Sequence, residues 1–261
     1  ARPTSVALTP DGERAVVANS LDDSLSVVRL TGDGAVERTI PMAAPRELTP
    51  AERGERLFFD ASVSHDGWMS CHSCHTDGHA NGQLVDNFTD GTQYTPKRVL
   101  SLRGVSDTAP YAWDGHMLTL ADQVRHSVTS TMQGDPLDEA QIADLVAFLQ
   151  TIAPVRAGTP SSEQMALRER GRAIFEAQEC ARCHASPTFT TPATYDVGLR
   201  DEQGGRRFNP PSLVNVKHGG PYLHDGRAET LRDVFVKHKH QLPSALTDED
   251  MTALMAYLKN L

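Results

Sequence analysis

All four cysteines of this 261-residue chain fall in two copies of one pattern, Cys-x-x-Cys-His: Cys71-His72-Ser73-Cys74-His75 and Cys180-Ala181-Arg182-Cys183-His184. The spacing suits covalent attachment of a c-type haem. Two thiols add to the vinyl groups on one porphyrin edge, and the next residue swings under the ring to offer imidazole nitrogen to iron. Cys71, Cys74 and His75 thus form one candidate site, and Cys180, Cys183 and His184 the other. A structural zinc ion or a thioredoxin-like dithiol is the competing reading of paired Cys-x-x-Cys elements. Against it, the two pairs lie far apart and each is followed at once by histidine.

Composition limits what such a protein could be. At 39% hydrophobic and 23% charged residues the chain is that of a soluble globular protein, long enough for two modest domains. No apolar run reaches the length of a membrane span. With haem on every thiol, no disulfide is available. Haem is attached to c-type cytochromes outside the cytoplasm, and the chain opens at Ala1 with no initiator methionine, so a mature periplasmic or otherwise exported protein is expected. A formal net charge of -9 argues against nucleic acid, whose phosphates need a basic face, and suits a basic or mixed-charge redox partner.

The elements that must position these sites repeat. From about Ala51 each half opens on a short helix with a shared signature, Glu52-Arg53-Gly54-Glu55-Arg56-Leu57-Phe58-Phe59 and Glu169-Arg170-Gly171-Arg172-Ala173-Ile174-Phe175-Glu176. Later come Pro110-Tyr111-Ala112-Trp113-Asp114-Gly115 and Pro221-Tyr222-Leu223-His224-Asp225-Gly226. Each half closes on an amphipathic helix, Asp138 to Ile152 and Thr247 to Leu261, with Ile142, Leu145, Val146 and Leu149 at helical spacing. Asp138 with Gln141, and Thr247 with Asp250, read as start signals. Ala153 to Ser162, rich in Pro, Gly, Ser and Thr, reads as the linker.

The first fifty residues differ in kind. Short β-branched runs, with Ala15 to Asn19 and Ser26 to Leu30 the clearest, are split by Asp-Gly and Asp-Asp turns. Val16-Val17-Ala18-Asn19 resembles the strand signature of a bacterial β-propeller family, and a propeller needs several blades. One repeat here implies a remnant that could associate with further upstream blades; a β-hairpin leaning on the haem domain is the plainer alternative. Gly32 to Pro50 is expected to be connector. The expected architecture is mainly α: residues 1–47 as the β repeat and connector, 48–155 and 156–261 as tandem cytochrome c-type haem domains.

With two Cys-x-x-Cys-His halves, Trp-Asp-Gly in the first and Pro-Tyr-x-His-Asp-Gly in the second, residues Leu48 to Leu261 resemble the bacterial dihaem cytochrome c peroxidases and their relatives, including the dihaem maturase of methylamine dehydrogenase. The resemblance implies a first haem that reacts with peroxide and a second that receives electrons. It also implies a sixth ligand on the second iron, usually methionine, at a fixed distance after Pro-Tyr-Phe-His-Asp-Gly. Counted from Pro221, that distance lands on His238, with His240 next in line. A nitrogen donor there would lower the potential. The same overlay on the first half points to His126; His79, His116 and Met132 are weaker alternatives, and His65 and His72 read as surface or haem-edge residues.

Peroxide cleavage wants a general base. The resemblance places its glutamate at Ala121, so Asp122, one residue on, is the candidate catalytic carboxylate. Tyr111 stands where the family often has glutamine and could donate a hydrogen bond to bound oxygen. Trp113 is expected to pack against porphyrin, and His224, Asp225, Gly226 and Arg227 to build the propionate surroundings of the second haem. The family's interdomain calcium loses its side-chain ligand, with Tyr94 in the place of an asparagine. The expected function is an exported dihaem oxidoreductase taking electrons from a small redox protein, a cytochrome c or cupredoxin. The alternatives are maturase-like oxidation of a partner protein and a non-catalytic carrier with bis-histidine haems.

Overall fold

The computed structural model describes residues 2–88, 91–155, 158 and 161–261. Four strands, β1 (Pro3–Leu8), β2 (Arg14–Asn19), β3 (Ser24–Arg29) and β4 (Val36–Pro41), form an antiparallel sheet in sequence order. Strand β4 lies inside the segment expected to be connector. It escapes a periodicity search because it buries almost nothing: it is an edge strand, exposed at five of its six residues. Cross-strand charge helps to hold it instead, the Glu37 carboxylate accepting from Arg14 Nε and Arg29 Nε at 2.8 Å each. The sheet leans on the helical part through Arg2, whose guanidinium sits 3.7 Å from the Phe59 ring centroid, and through Arg56 Nη2, which donates to Leu21 O at 2.7 Å.

The first haem-motif half runs α1 (Pro50–Phe59), α2 (Cys71–Cys74), the short strands β5 (Leu84–Val85) and β6 (Lys97–Arg98), α3 (Leu120–His126) and α4 (Glu139–Leu149). Thr49 caps α1 in a reciprocal box with Glu52, and Pro50 fills its first turn, where no amide proton is needed. Asp138 and Gln141 cap α4 in the same way. Helices α1 and α4 cross at Gly54, where a β-carbon would stand 1.9 Å from Asp144 O. Beside that crossing Arg53 grips the buried Asp144 with two parallel bonds of 2.6 and 2.8 Å. The core between them gathers Phe58, Val105, Leu120, Val124, Ile142, Leu145 and Leu149.

The second half repeats the plan with α5 (Ser162–Ala177), β7 (Tyr195–Asp196), β8 (Arg207–Phe208), α6 (Leu231–Val236) and α7 (Asp248–Leu258). Gly171 does for α5 and α7 what Gly54 does above, a β-carbon there falling 2.1 Å from Ala253 O. Thr247 caps α7 by accepting from Asp250 N. Of the expected linker, Arg156, Ala157, Thr159 and Pro160 lie outside the described residues; Val155 is tied to Asn215 of the second half through both its backbone groups.

The halves meet through equivalent positions. Arg98 N donates to His224 O at 2.6 Å, and Asn209 N donates to Trp113 O at 2.7 Å, so each half hydrogen-bonds its partner's aromatic turn. Lys97 Nζ and an Asp201 carboxylate oxygen, both almost fully buried, pair across the same boundary at 3.3 Å. Among the described residues no helix is long and apolar enough to cross a membrane.

Candidate dihaem site

The first motif lies on the one-turn helix α2, whose Ser70 cap bonds reciprocally with Ser73. This turn presents Cys71, Cys74 and His75 to a single cavity, and both thiols are free. His75 Nδ1 faces the carbonyl oxygen of His79 at 3.3 Å. Since a carbonyl only accepts, the proton is on Nδ1 and Nε2 keeps its lone pair. Burial lowers the pKa of His75, holding the ring in the neutral, metal-binding form.

Helix α3 and its π-helical continuation over Ser127–Thr131 supply one wall of this cavity. Leu120, Gln123, Val124, Ser127, Val128 and Thr131 line it at helical spacing, with Tyr111, Trp113 and Met132 nearby in the lining. Gln123 Nε2 donates to Ser127 Oγ at 3.1 Å, while its Oε1 is sealed from solvent without a hydrogen-bond partner. Burial raises the pKa of Tyr111, so its phenol stays protonated. Among the described residues no aspartate or glutamate lines the cavity.

Several residues singled out in the sequence lie elsewhere. The Asp122 carboxylate is half-exposed, accepting from Thr119 Oγ1 at 2.5 Å and from Arg125 Nη1 at 3.1 Å. His126 is outside the lining, with Nε2 3.3 Å from Asn87 O. His79 lines the cavity but both its nitrogens are engaged, Nδ1 with Ser101 Oγ and Nε2 with His218 O, each at 2.7 Å. His116 and His65 are exposed, His72 leans on the Phe59 ring at 4.7 Å between centroids, and Tyr94 points its 79%-exposed side chain to solvent.

The second motif forms a short turn, Cys180–Arg182, against a cluster of Phe175, Leu231, Val234, Phe235, Met251, Leu254 and Leu258. His184 Nδ1 bonds Phe189 O at 3.1 Å, which again frees Nε2. Burial pushes this imidazole down to about 4, and the neighbouring His240 adds to the fall. His240 itself has a solvent-sealed Nδ1 without a partner, and burial lowers its pKa. His238, by contrast, lays its Nε2 against Arg227 O at 3.1 Å on the exposed side. Helix α6 ends at Val236, and Lys239 takes a left-handed conformation with φ 52°, so the chain turns between His238 and His240. His224 is 1% exposed and stacks on Phe208 at 4.3 Å. Asp225 pairs with Arg227 beside it.

Unpaired thiols, imidazoles with free Nε2 and sealed polar atoms in the cavity wall suit a c-type haem at each motif, which Cys71, Cys74 and His75, and Cys180, Cys183 and His184, would hold. A zinc site would need the thiols to converge; among the described residues no group of three His, Cys, Asp or Glu side chains gathers as a metal cage would.

Two tandem cytochrome c-type domains preceded by antiparallel strands define the class. Residues 49–159 match the family described as di-haem cytochrome c peroxidase, and residues 168–261 match cytochrome c. The chain is 25% identical to methylamine utilization protein MauG of Methylophilus methylotrophus, covering 81% of this chain and 78% of that one. It is 23% identical to the cytochrome c551 peroxidase of Nitrosomonas europaea, over 85% and 82% of the two chains. In fold it resembles a chain of Kuenenia stuttgartiensis hydrazine synthase, with a TM-score of 0.74 at 21% identity, over 88% of this chain and 100% of that one. The matches support the dihaem cytochrome c peroxidase superfamily as this chain's place, and that family implies two haem c groups.

Proposed function

We propose that the protein is an exported dihaem oxidoreductase that takes electrons singly at its second haem and passes them to a small peroxide-class oxidant at its first. Cys71 and Cys74 would carry the first haem with His75 Nε2 on its iron; Cys180 and Cys183 would carry the second, with His184 and His240 as its axial pair. His240 is preferred to His238 in this assignment because its Nδ1 is sealed from solvent without a partner and its ring acts electrostatically on His184, while His238 Nε2 lies against Arg227 O. Haem bound in this way supplies one-electron chemistry and, where an axial position is open, a place for oxygen to bind. The reading is carried by the asymmetry of the two sites: His240, whose sealed Nδ1 has no partner, is an electrostatic neighbour of His184, whereas among the described residues lining the cavity around His75 no second histidine has a free nitrogen.

In that first cavity Gln123 Oε1 accepts a hydrogen bond from the O–H of an entering hydroperoxide and orients it. The Tyr111 hydroxyl, kept protonated by burial, donates to the oxygen that gains charge. Neither group is a base near neutral pH. With no carboxylate among the described lining residues, proton transfer in this reading rests on solvent, and turnover is accordingly slow beside an enzyme that has a positioned base. The donor is a small redox protein. Residues 48–155 and 156–261 act as the two haem domains.

Met132 carries a second reading. It is buried and belongs to the same lining; a thioether on the first iron would close that site and leave an electron carrier. Stopped-flow mixing of half-reduced protein with hydrogen peroxide separates the two. The enzyme reading expects oxidation of the second haem at a rate proportional to peroxide. No reaction, together with no cyanide binding at the first haem, would leave the carrier.

A further inference from the structure

Arg98 presents an unresolved charge. It sits on β6, in the boundary between the halves, and lines the cavity that holds Cys71, Cys74 and His75. Its Nη1 donates to Gly219 O of the second half at 2.8 Å, and its guanidinium carbon lies 5.7 Å from the Trp113 ring centroid. Its Nε is sealed from solvent and has no hydrogen-bond partner. Among the described residues no carboxylate pairs with it, although the adjacent Lys97 has Asp201. Burial accordingly pushes the guanidinium down to about 10. A cation taken out of water with only a carbonyl and an aromatic face for company is costly unless an anion joins it.

We propose that Arg98 binds a propionate carboxylate of the first haem, and thereby raises that haem's reduction potential and locks it to the second half through Gly219. The inference rests on haem occupying the first cavity. Thiols and imidazole hold the ring at one edge and at the iron; the propionates leave it as carboxylates that need a partner. A planar guanidinium with a free Nε–H suits a carboxylate better than an ammonium would. A fixed positive charge there opposes the extra positive charge of the oxidised haem and favours the reduced state.

The test is spectroelectrochemistry of the two-haem protein, comparing wild type with Arg98→Gln and Arg98→Lys. Haem content by pyridine haemochrome and intact mass comes first: fewer than two haems would deny the haem reading itself, not the role of Arg98. With both haems present, Arg98→Gln should shift the first haem toward its oxidised form by about tenfold, or ~59 mV for one electron. Arg98→Lys should recover part of that, and the second haem should move less. Unchanged potentials in both variants, or a shift confined to the second haem, would overturn the proposal. Should Arg98→Gln not fold, the Lys variant, read by the same potentials and by the propionate bending bands in resonance Raman, decides alone.

Discussion

Trp113 and His224 hold equivalent places in the two halves, and their rings meet edge to face across the boundary with centroids 6.3 Å apart. Each follows a Pro-Tyr-x triplet, each gives its carbonyl to the other half, and Phe208 lies against both. Trp113 further anchors its indole Nε1 on Arg98 O at 2.8 Å. The duplication is thus a packing device as well as a repeat: the turns that follow the motifs hold the two motif-bearing halves in one relation.

Asp201→Asn should loosen that relation. It removes the charge facing Lys97 in a pair whose side chains are only 4% and 8% exposed. Losing one partner of a buried pair costs about 3–5 kcal/mol. Urea unfolding of the holoprotein should show a loss toward the low end of that range, because Lys97 has another interaction.

Gly54→Ala and Gly171→Ala should each destabilise by about 1–3 kcal/mol, the usual cost of overpacking. In both places the clash is with backbone oxygen, which cannot rotate away. Denaturation followed at the Soret band reads both, and unchanged midpoints would mean that the crossings relax.

The Arg-Gly signature, both haem motifs, the capping residues and the paired Pro-Tyr segments were legible in the sequence because each is a local pattern with a local reason. The choice of sixth ligand is less local: the distance from Pro221 lands on His238, but a linear count does not say how the chain turns after α6, where His238 lies against Arg227 O and the sealed, unpartnered Nδ1 belongs to His240. Asp122 drew attention as a carboxylate in the right segment, yet Thr119 and Arg125 hold it outward while Gln123, one residue on, faces the cavity. The stripe Leu120, Gln123, Val124, Ser127, Val128 could have revealed that face. Arg98 carried no motif; only burial without an anion marks it.

His240→Ala should leave the second haem high-spin, and His238→Ala should leave its visible spectrum unchanged. The reverse result would restore His238 as the ligand.

Gln123→Leu should slow the reaction of half-reduced protein with peroxide by about 10²-fold, the scale of losing one preorganised polar contact. Asp122→Asn should leave that rate within about a factor of two, since its carboxylate accepts from the capping Thr119 hydroxyl and from Arg125 at the start of α3. Stopped-flow absorbance measures both, and a large loss in Asp122→Asn alone would return the proton-handling role to that carboxylate.

The asymmetry of the two axial sites is tested most directly by low-temperature EPR of the fully oxidised holoprotein, with and without cyanide. One low-spin bis-histidine signal that ignores cyanide, together with a second signal that is high-spin or converts on adding it, is the expected result. Two low-spin signals that both ignore cyanide would contradict it.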